Sequence, residues 1–359
     1  MDKVQPFFDK PIICSGSTMG QQVALEPYLR AMIAQFDETK CKLKGCDQGF
    51  HNYLYYSNSL SSLEGVKEVQ IFEQGTGIIN NLGVLRVKPL REWGLLDENN
   101  TVLNWDKSVS AVAHQFDRDD ELNKHLKEVR KEYEGKFHTK ARLLSHGVEN
   151  QKVNQSENDA FGMPLPSGTH VILEPTFGKH RKHVDAIFGL AEGYDIRTYL
   201  MFIESLKATG FSGDLVLSVS ELGSLKPGVE EYLRSHHKDD NEDGLNVVVY
   251  TITWNCFNAD GSPADGAKEG IRMCNLVGMY GNDTDNEAIP DPREARPVAT
   301  ARFELYWAWS QQYDKHNWIM LIDTRDALFQ LNPFEGLNHD KEVSHDDGLL
   351  YFFAVSKKS

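Results

Sequence analysis

Hydrophobic and polar positions divide the chain into three blocks. In residues 1–118, the apolar run Pro11-Ile-Ile-Cys-Ser-Gly16 leads into Val23, Leu25, Leu29, Met32, Ile33 and Phe36. Their spacings of three and four residues predict an amphipathic helix. Tyr53-Leu-Tyr-Tyr56 reads as a second, aromatic-rich helix or helix end. Val69-Gln-Ile-Phe72 and Val109-Ser-Ala-Val-Ala113 read as short strands, the latter running into His114.

Residues 119–167 open with a charged helical run from Asp119 to Tyr133 and turn polar, closing at Met163-Pro-Leu-Pro-Ser-Gly168. A helix charged in this way is expected to be solvated, and the block reads as a linker without chemistry. Residues 168–359 start with a buried-strand candidate, His170-Val-Ile-Leu-Glu174. A helix from Asp195 to Lys207, a strand Asp214–Val219, a helix Val229–Arg234 and a strand Asn246–Ile252 follow. A helix Ala299–Tyr313 and a strand Trp318–Ile322 complete the series. Strands alternating with helices predict βαβ units, and hence an α/β fold with a mainly parallel, Rossmann-like sheet and flanking helices. The segment Cys256–Arg296, rich in Gly, Asp, Asn and Pro, reads as a long loop, either functional or partly mobile.

Composition narrows the picture. The chain has 359 residues, 40% of them hydrophobic, and so can bury a sizeable core as one large domain or two smaller ones. Its net charge of −15 argues against nonspecific binding to nucleic acid or anionic lipid, since no basic surplus drives counterion release. No apolar stretch reaches transmembrane length and the N-terminus lacks a signal-peptide core, so the chain as written is expected in the cytoplasm. Five scattered cysteines (Cys14, Cys41, Cys46, Cys256, Cys274) predict neither a disulfide framework nor a zinc site. Sequons at Asn99, Asn154 and Asn282 are no more than chance supplies.

The candidate chemistry centres on Trp318-Ile-Met-Leu-Ile-Asp323-Thr-Arg-Asp326, an apolar strand ending in two carboxylates three residues apart. Ligands of open α/β sheets collect at the carboxyl ends of strands, so this is a candidate platform for a divalent cation and a phosphate-bearing substrate. The plainer reading has Asp323 capping the next turn and Asp326 pairing with Arg325. His114, after its apolar run, is either structural or a ligand, and a neutral imidazole would favour Mn²⁺ over Mg²⁺. Asp47 and Gln48 could hold sugar hydroxyls; alternatively Asp47 caps a helix. Ser15-Gly-Ser-Thr-Met-Gly20 could present amides to an anion at a helix start, although it lacks P-loop spacing and its lysine. Tyr194 could stack on a nucleobase or serve the core, and Arg302 could face phosphates or form a surface ion pair.

Together these segments resemble glycosyltransferases of the GT-A type, the nucleotide-diphospho-sugar transferase superfamily. Asp323-Thr-Arg-Asp326 is similar to the superfamily's Asp-x-Asp motif, with the carboxylates one residue further apart. Cys14-Ser-Gly-Ser-Thr-Met-Gly20 resembles the small-residue segment that opens the acceptor half, and Gly45-Cys-Asp47-Gln48 the element that reaches the transferred sugar. Val112-Ala-His114 resembles the strand ending in the metal-ligand histidine, and the Tyr194 neighbourhood the uridine-side loop.

The resemblance covers the first and third blocks. It implies a metal-dependent transferase using a UDP-sugar or similar donor and an unknown acceptor. Asp323, Asp326 and His114 would be ligands to Mn²⁺ or Mg²⁺, Asp47 and Gln48 would orient sugar or acceptor, and Tyr194, Arg302 and Asp323 would contact the nucleotide. It also implies a Golgi membrane enzyme, for which this chain shows no anchor.

The order departs from the family: the acceptor-like half (1–118) precedes the nucleotide-sugar half (168–359). Either the halves are circularly permuted, with 119–167 as the joining linker, or the chain is a window on a tandem or domain-swapped array. Two other functions are kept in view: an inactive module of this fold that binds carbohydrate or a partner half, and a phosphatase-like enzyme with Asp323 as nucleophile, which the Asp-Thr-Arg-Asp spacing disfavours.

Overall fold

A computed structural model describes residues 7, 9–141, 168–238, 243–258, 261–264, 272–282, 287–337 and 347–355. The linker's polar end, Asn154 and the Pro6 segment lie outside the described residues. The strands are β1 Ile13–Gln21, β2 Val66–Phe72, β3 Ile79–Asn81, β4 Val112–His114, β5 Thr169–Val171, β6 Ala186–Leu190, β7 Asp214–Val219, β8 Asn246–Thr251, β9 Thr253–Phe257, β10 Met273–Val277, β11 Tyr280–Asn282, β12 Ala288–Ile289, β13 Arg296–Pro297, β14 Trp318–Ile322, β15 Ala327–Phe329 and β16 Gly348–Ala354. The helices are α1 Gln22–Thr39, α2 Cys46–Tyr56, α3 Leu90–Trp93, α4 Asp120–Ala141, α5 Ile196–Ala208, α6 Val229–Arg234 and α7 Val298–Ser310.

The frame is α/β, built on a seven-stranded mixed sheet ordered β2-β16-β1-β14-β6-β7-β8. Strands β14, β6, β7 and β8 are mutually parallel. Their apolar runs are continuous because helices cover both faces, and parallel strands buried on both faces need no polar side. Alternate residues serve opposite layers. Phe188, Val216, Ile319 and Leu321 pack with α1 and α7, while Ile187, Leu217, Met320 and Ile322 pack with α5 and α6. β1 enters antiparallel between β14 and β16, so both sequence blocks build one sheet. The Val355 amide bonds to the Ile12 carbonyl at 2.9 Å, extending that pairing.

Several expectations change. The first buried strand of the third block is Ala186–Leu190, whereas Thr169–Val171 is half-buried in a separate three-stranded sheet. A five-residue apolar run without flanking alternation carries little periodic signal. Ser15–Gly20 is interior strand; its place in the ladder of β1, not a helix start, sets its role. The charged helix α4 is not merely solvated: Leu122 and Leu126 are buried beside Met201 of α5.

Part of Cys256–Arg296 is ordered as β9 to β13, and its end is anchored by a buried ion network. Arg296 bonds to Glu304 at 2.6 Å and Asp291 at 2.9 Å, and is itself fully buried. The expectation of no disulfides is also overturned. Cys256 and Cys274 face each other across β9 and β10 and are joined, and Cys41 and Cys46 close the α1–α2 turn; Cys14 stays a buried free thiol. Scattered numbering hid the pairing because strand register, not sequence spacing, brings Cys256 to Cys274.

Candidate functional site

Four elements meet at the carboxyl end of β14. The strand delivers Asp323 and Asp326, which flank a short turn; Asp326 is buried and Asp323 is 42% exposed at its side chain. β15 follows directly and pairs with β4, setting Ala327 opposite His114. His114 is thereby brought under the turn, completely buried, with Nε2 at 3.9 Å from Asp323 Oδ2 and 3.7 Å from Asp326 Oδ1. The pairing supplies what the sequence separates by some two hundred positions.

The site is crowded at one point. Gly16 of β1 lies where a Cβ would stand 2.6 Å from Asp323 Oδ2 and 3.3 Å from His114 Cε1, so a side chain there would displace the carboxylate. The Gly16 carbonyl accepts from the Asp323 amide at 3.1 Å.

Arg302 of α7 joins the two blocks. Its guanidinium donates to Asp323 Oδ1 at 2.7 Å, to Asp47 Oδ2 at 3.1 Å and to the Ser15 carbonyl at 3.3 Å. Arg302 is therefore a buried bridge between carboxylates rather than a surface ion pair. Asp47 does not cap α2; Gly45, in a left-handed conformation at φ 82°, occupies that position, and Asp47 sits in the first turn accepting from Ser15 Oγ at 3.0 Å. Gln48 spends both ends of its amide on β1: Oε1 accepts from the Ser15 amide and Nε2 donates to the Ile13 carbonyl. These bonds hold the irregular start of β1.

Tyr194 follows β6 in the loop beside the turn. Burial raises its phenol, Arg325 opposes this, and Asp323 and Asp326 add to the rise, which places the ring within the same electrostatic neighbourhood. Arg325 itself bonds to Asp326 Oδ2 at 2.8 Å, as the plainer sequence reading has it. His114 is pushed up to about 9: burial pulls it down, but the Cys14 thiol, Asp323 and Asp326 outweigh that.

Sequence reasoning gave no individual role to three residues here. Asn81 of β3 contacts the His114 ring, with 2.7 Å from Oδ1 to Nδ1. Glu192, two residues after β6, is pushed up to about 7 by burial while accepting from the Trp254 indole. Ser15 links Asp47 and Gln48 to β1. Asn81 stands in no motif; a polar residue inside a short apolar run was its one visible signal, at Ile78-Ile-Asn-Asn81.

A cleft of ≈ 290 Å³ opens beside Asp47, between α2 and the start of α7, lined among others by Lys44, Arg272 and Thr300.

The residues bear a limited fit to a divalent ion. Nε2 of His114 is buried without a hydrogen-bond partner, an arrangement that a ligand would relieve. Neighbouring ligands around an octahedral ion at ~2.1 Å stand roughly 3 Å apart, so each carboxylate needs to close on Nε2 by less than about 1 Å. Among the described residues no three His, Cys, Asp or Glu side chains already form a cage for an ion. No helix among them is long and apolar enough to cross a membrane. No protein-family model matches the chain, and no curated protein or solved structure is significantly similar to it.

Proposed function

We propose that the chain is a metal-dependent glycosyltransferase that takes a nucleotide-diphosphate sugar, most simply a UDP-sugar, with Mn²⁺ or Mg²⁺. The observation that carries this reading is the meeting of the unpartnered His114 Nε2 with Asp323 and Asp326 at the carboxyl end of the central strand β14. The parallel strands β8-β7-β6-β14 follow a 3-2-1-4 order, which supports a Rossmann-like nucleotide half with its switch point between β6 and β14. Tyr194 and the Asp323 turn stand at that crevice. Bound there, the cation would neutralise charge on the leaving diphosphate. Tyr194 would flank the base, and the cleft beside Asp47 would receive the sugar or the acceptor. In this reading Arg302 holds Asp47 and Asp323 in register and keeps a positive charge near the phosphates.

The insertion of β1 between β14 and β16 supports circular permutation over a missing partner half, because the first block completes the sheet of the third within one chain. The two disulfides favour an oxidising compartment, consistent with a secretory-route transferase and unlike the cytoplasmic placement expected from the sequence.

A second reading is favoured by the ion pairs themselves. Arg302 already neutralises Asp323, and Arg325 already neutralises Asp326, as in a module that binds carbohydrate or a partner without turnover. Calorimetry with UDP-sugars decides between them. Mn²⁺-dependent donor binding, lost in Asp323→Asn, supports the transferase. Metal-independent binding of glycans, or no donor binding by folded protein, removes it.

A further inference from the structure

His114 makes one defined hydrogen bond, through Nδ1, and its partner has no freedom to change roles. Asn81 lies on β3, paired beside β4 so that Asn81 and His114 are register partners. One end of its amide faces two main-chain carbonyls of β16, at 3.1 Å from Phe353 O and 3.4 Å from Ala354 O. Carbonyls only accept, so that end is the NH₂ group. The other end is then the carbonyl oxygen. It meets His114 Nδ1 at 2.7 Å and the Ser17 hydroxyl, which donates to it, at 3.3 Å. Because Oδ1 cannot donate, Nδ1 must carry the ring proton. In the neutral ring the lone pair is therefore on Nε2, the nitrogen that faces Asp323 and Asp326.

We infer that Asn81 is a positioning residue that locks His114 as its Nδ1–H tautomer, with Nε2 left bare toward the carboxylate turn. The lock draws on four strands. β16 fixes the amide, β1 supplies Ser17, β3 carries Asn81 and β4 carries the histidine. All three side chains, Ser17, Asn81 and His114, are fully buried, so water offers none of them an alternative partner. Cys14 also couples to the ring, without forming a hydrogen bond to Nε2. Hydrogen bonding of the distal nitrogen is the usual means by which a ligating imidazole is oriented. This consequence rests on the metal reading proposed above, whereas the tautomer itself does not.

The test uses full-length, metal-free protein labelled with ¹⁵N-histidine, followed by long-range ¹H–¹⁵N correlation spectra from pH 7 to about 10.5. The His114 signals are identified by their absence in His114→Gln. The expected neutral ring has a protonated Nδ1 and an unprotonated Nε2, and Asn81→Leu moves it to the opposite tautomer or a mixture. A neutral wild-type ring with its single proton on Nε2 overturns the inference, with or without a folded variant, and so does an unchanged neutral tautomer in Asn81→Leu. Mn²⁺ titration followed by electron paramagnetic resonance is read separately, with roughly 10–100-fold weaker binding expected for Asn81→Leu. Failure of wild-type protein to bind Mn²⁺ removes the metal reading and leaves the tautomer result to stand or fall alone.

Discussion

Asp323 and Arg302 form a 2.7 Å ion pair in which only the arginine is buried. The same guanidinium holds the buried Asp47, so one side chain of α7 fastens the first block to the turn after β14. Burial opposes the charge, but Asp323 and Asp47 together keep Arg302 firmly protonated. Removing it leaves Asp47 with an uncompensated charge.

Arg302→Gln is accordingly expected to cost on the order of 3 kcal/mol, near the lower end for breaking a buried pair because Asp323 reaches solvent. Urea denaturation measures it. A loss under 1 kcal/mol would mean that the bridge is incidental.

Gly16→Ala introduces a methyl group into space held by Asp323 Oδ2 at 2.6 Å. Mn²⁺ affinity, or donor turnover once a donor is found, should fall on the order of 10-fold or more, since small misplacements of reacting groups are costly. Circular dichroism should show that the sheet survives. Unaltered affinity would place the functional carboxylate elsewhere.

Acid should destabilise the protein through two neutral histidines, His51 buried and His180 half-buried. His180 sits between the hydroxyls of Tyr313 and Tyr250, His51 bonds to the Tyr28 hydroxyl, and burial pulls each ring down to about 3. A ring whose folded pKa lies below its unfolded value of 6.5 takes its proton preferentially in the unfolded chain. Stability is therefore retained above pH 6.5 and lost as pH falls toward 3, by up to about 1.4 kcal/mol per pH unit for each ring. His180→Gln should show a flatter pH–stability curve than the wild type across that window; matching slopes would contradict the assignment.

Thiol counting checks the disulfides. Alkylation of unfolded, unreduced protein should modify only Cys14, and all five cysteines after reduction. Loss of the Cys256–Cys274 bond, which closes a separation of 18 residues, should cost about 2–4 kcal/mol. Three or more reactive thiols before reduction would refute the pairing.

Much of the architecture was legible because it depends on local pattern. Asp214–Val219, Val229–Arg234 and Trp318–Ile322 fall where apolar runs and helical spacing put them, and Asp195 caps α5 through the Thr198 amide. Ala186–Leu190 was missed because a short buried strand has no polar face to mark its period. Ser15–Gly20 was misread because small residues suit a loop and a crowded interior strand alike.

The site divides in the same way. Asp323, Asp326 and His114 were visible as polar residues ending apolar runs, and Asp47 as a carboxylate after a glycine break. Their sequence determined which groups exist and which segments carry them. Only tertiary structure decided that the β15–β4 pairing sets His114 beneath the Asp323 turn, that Arg302 bridges to Asp47, and that Asn81 faces Nδ1. Those relations depend on strand register and helix packing across distant parts of the chain. Periodicity reports which face of a strand is buried, but not which other strand lies beside it.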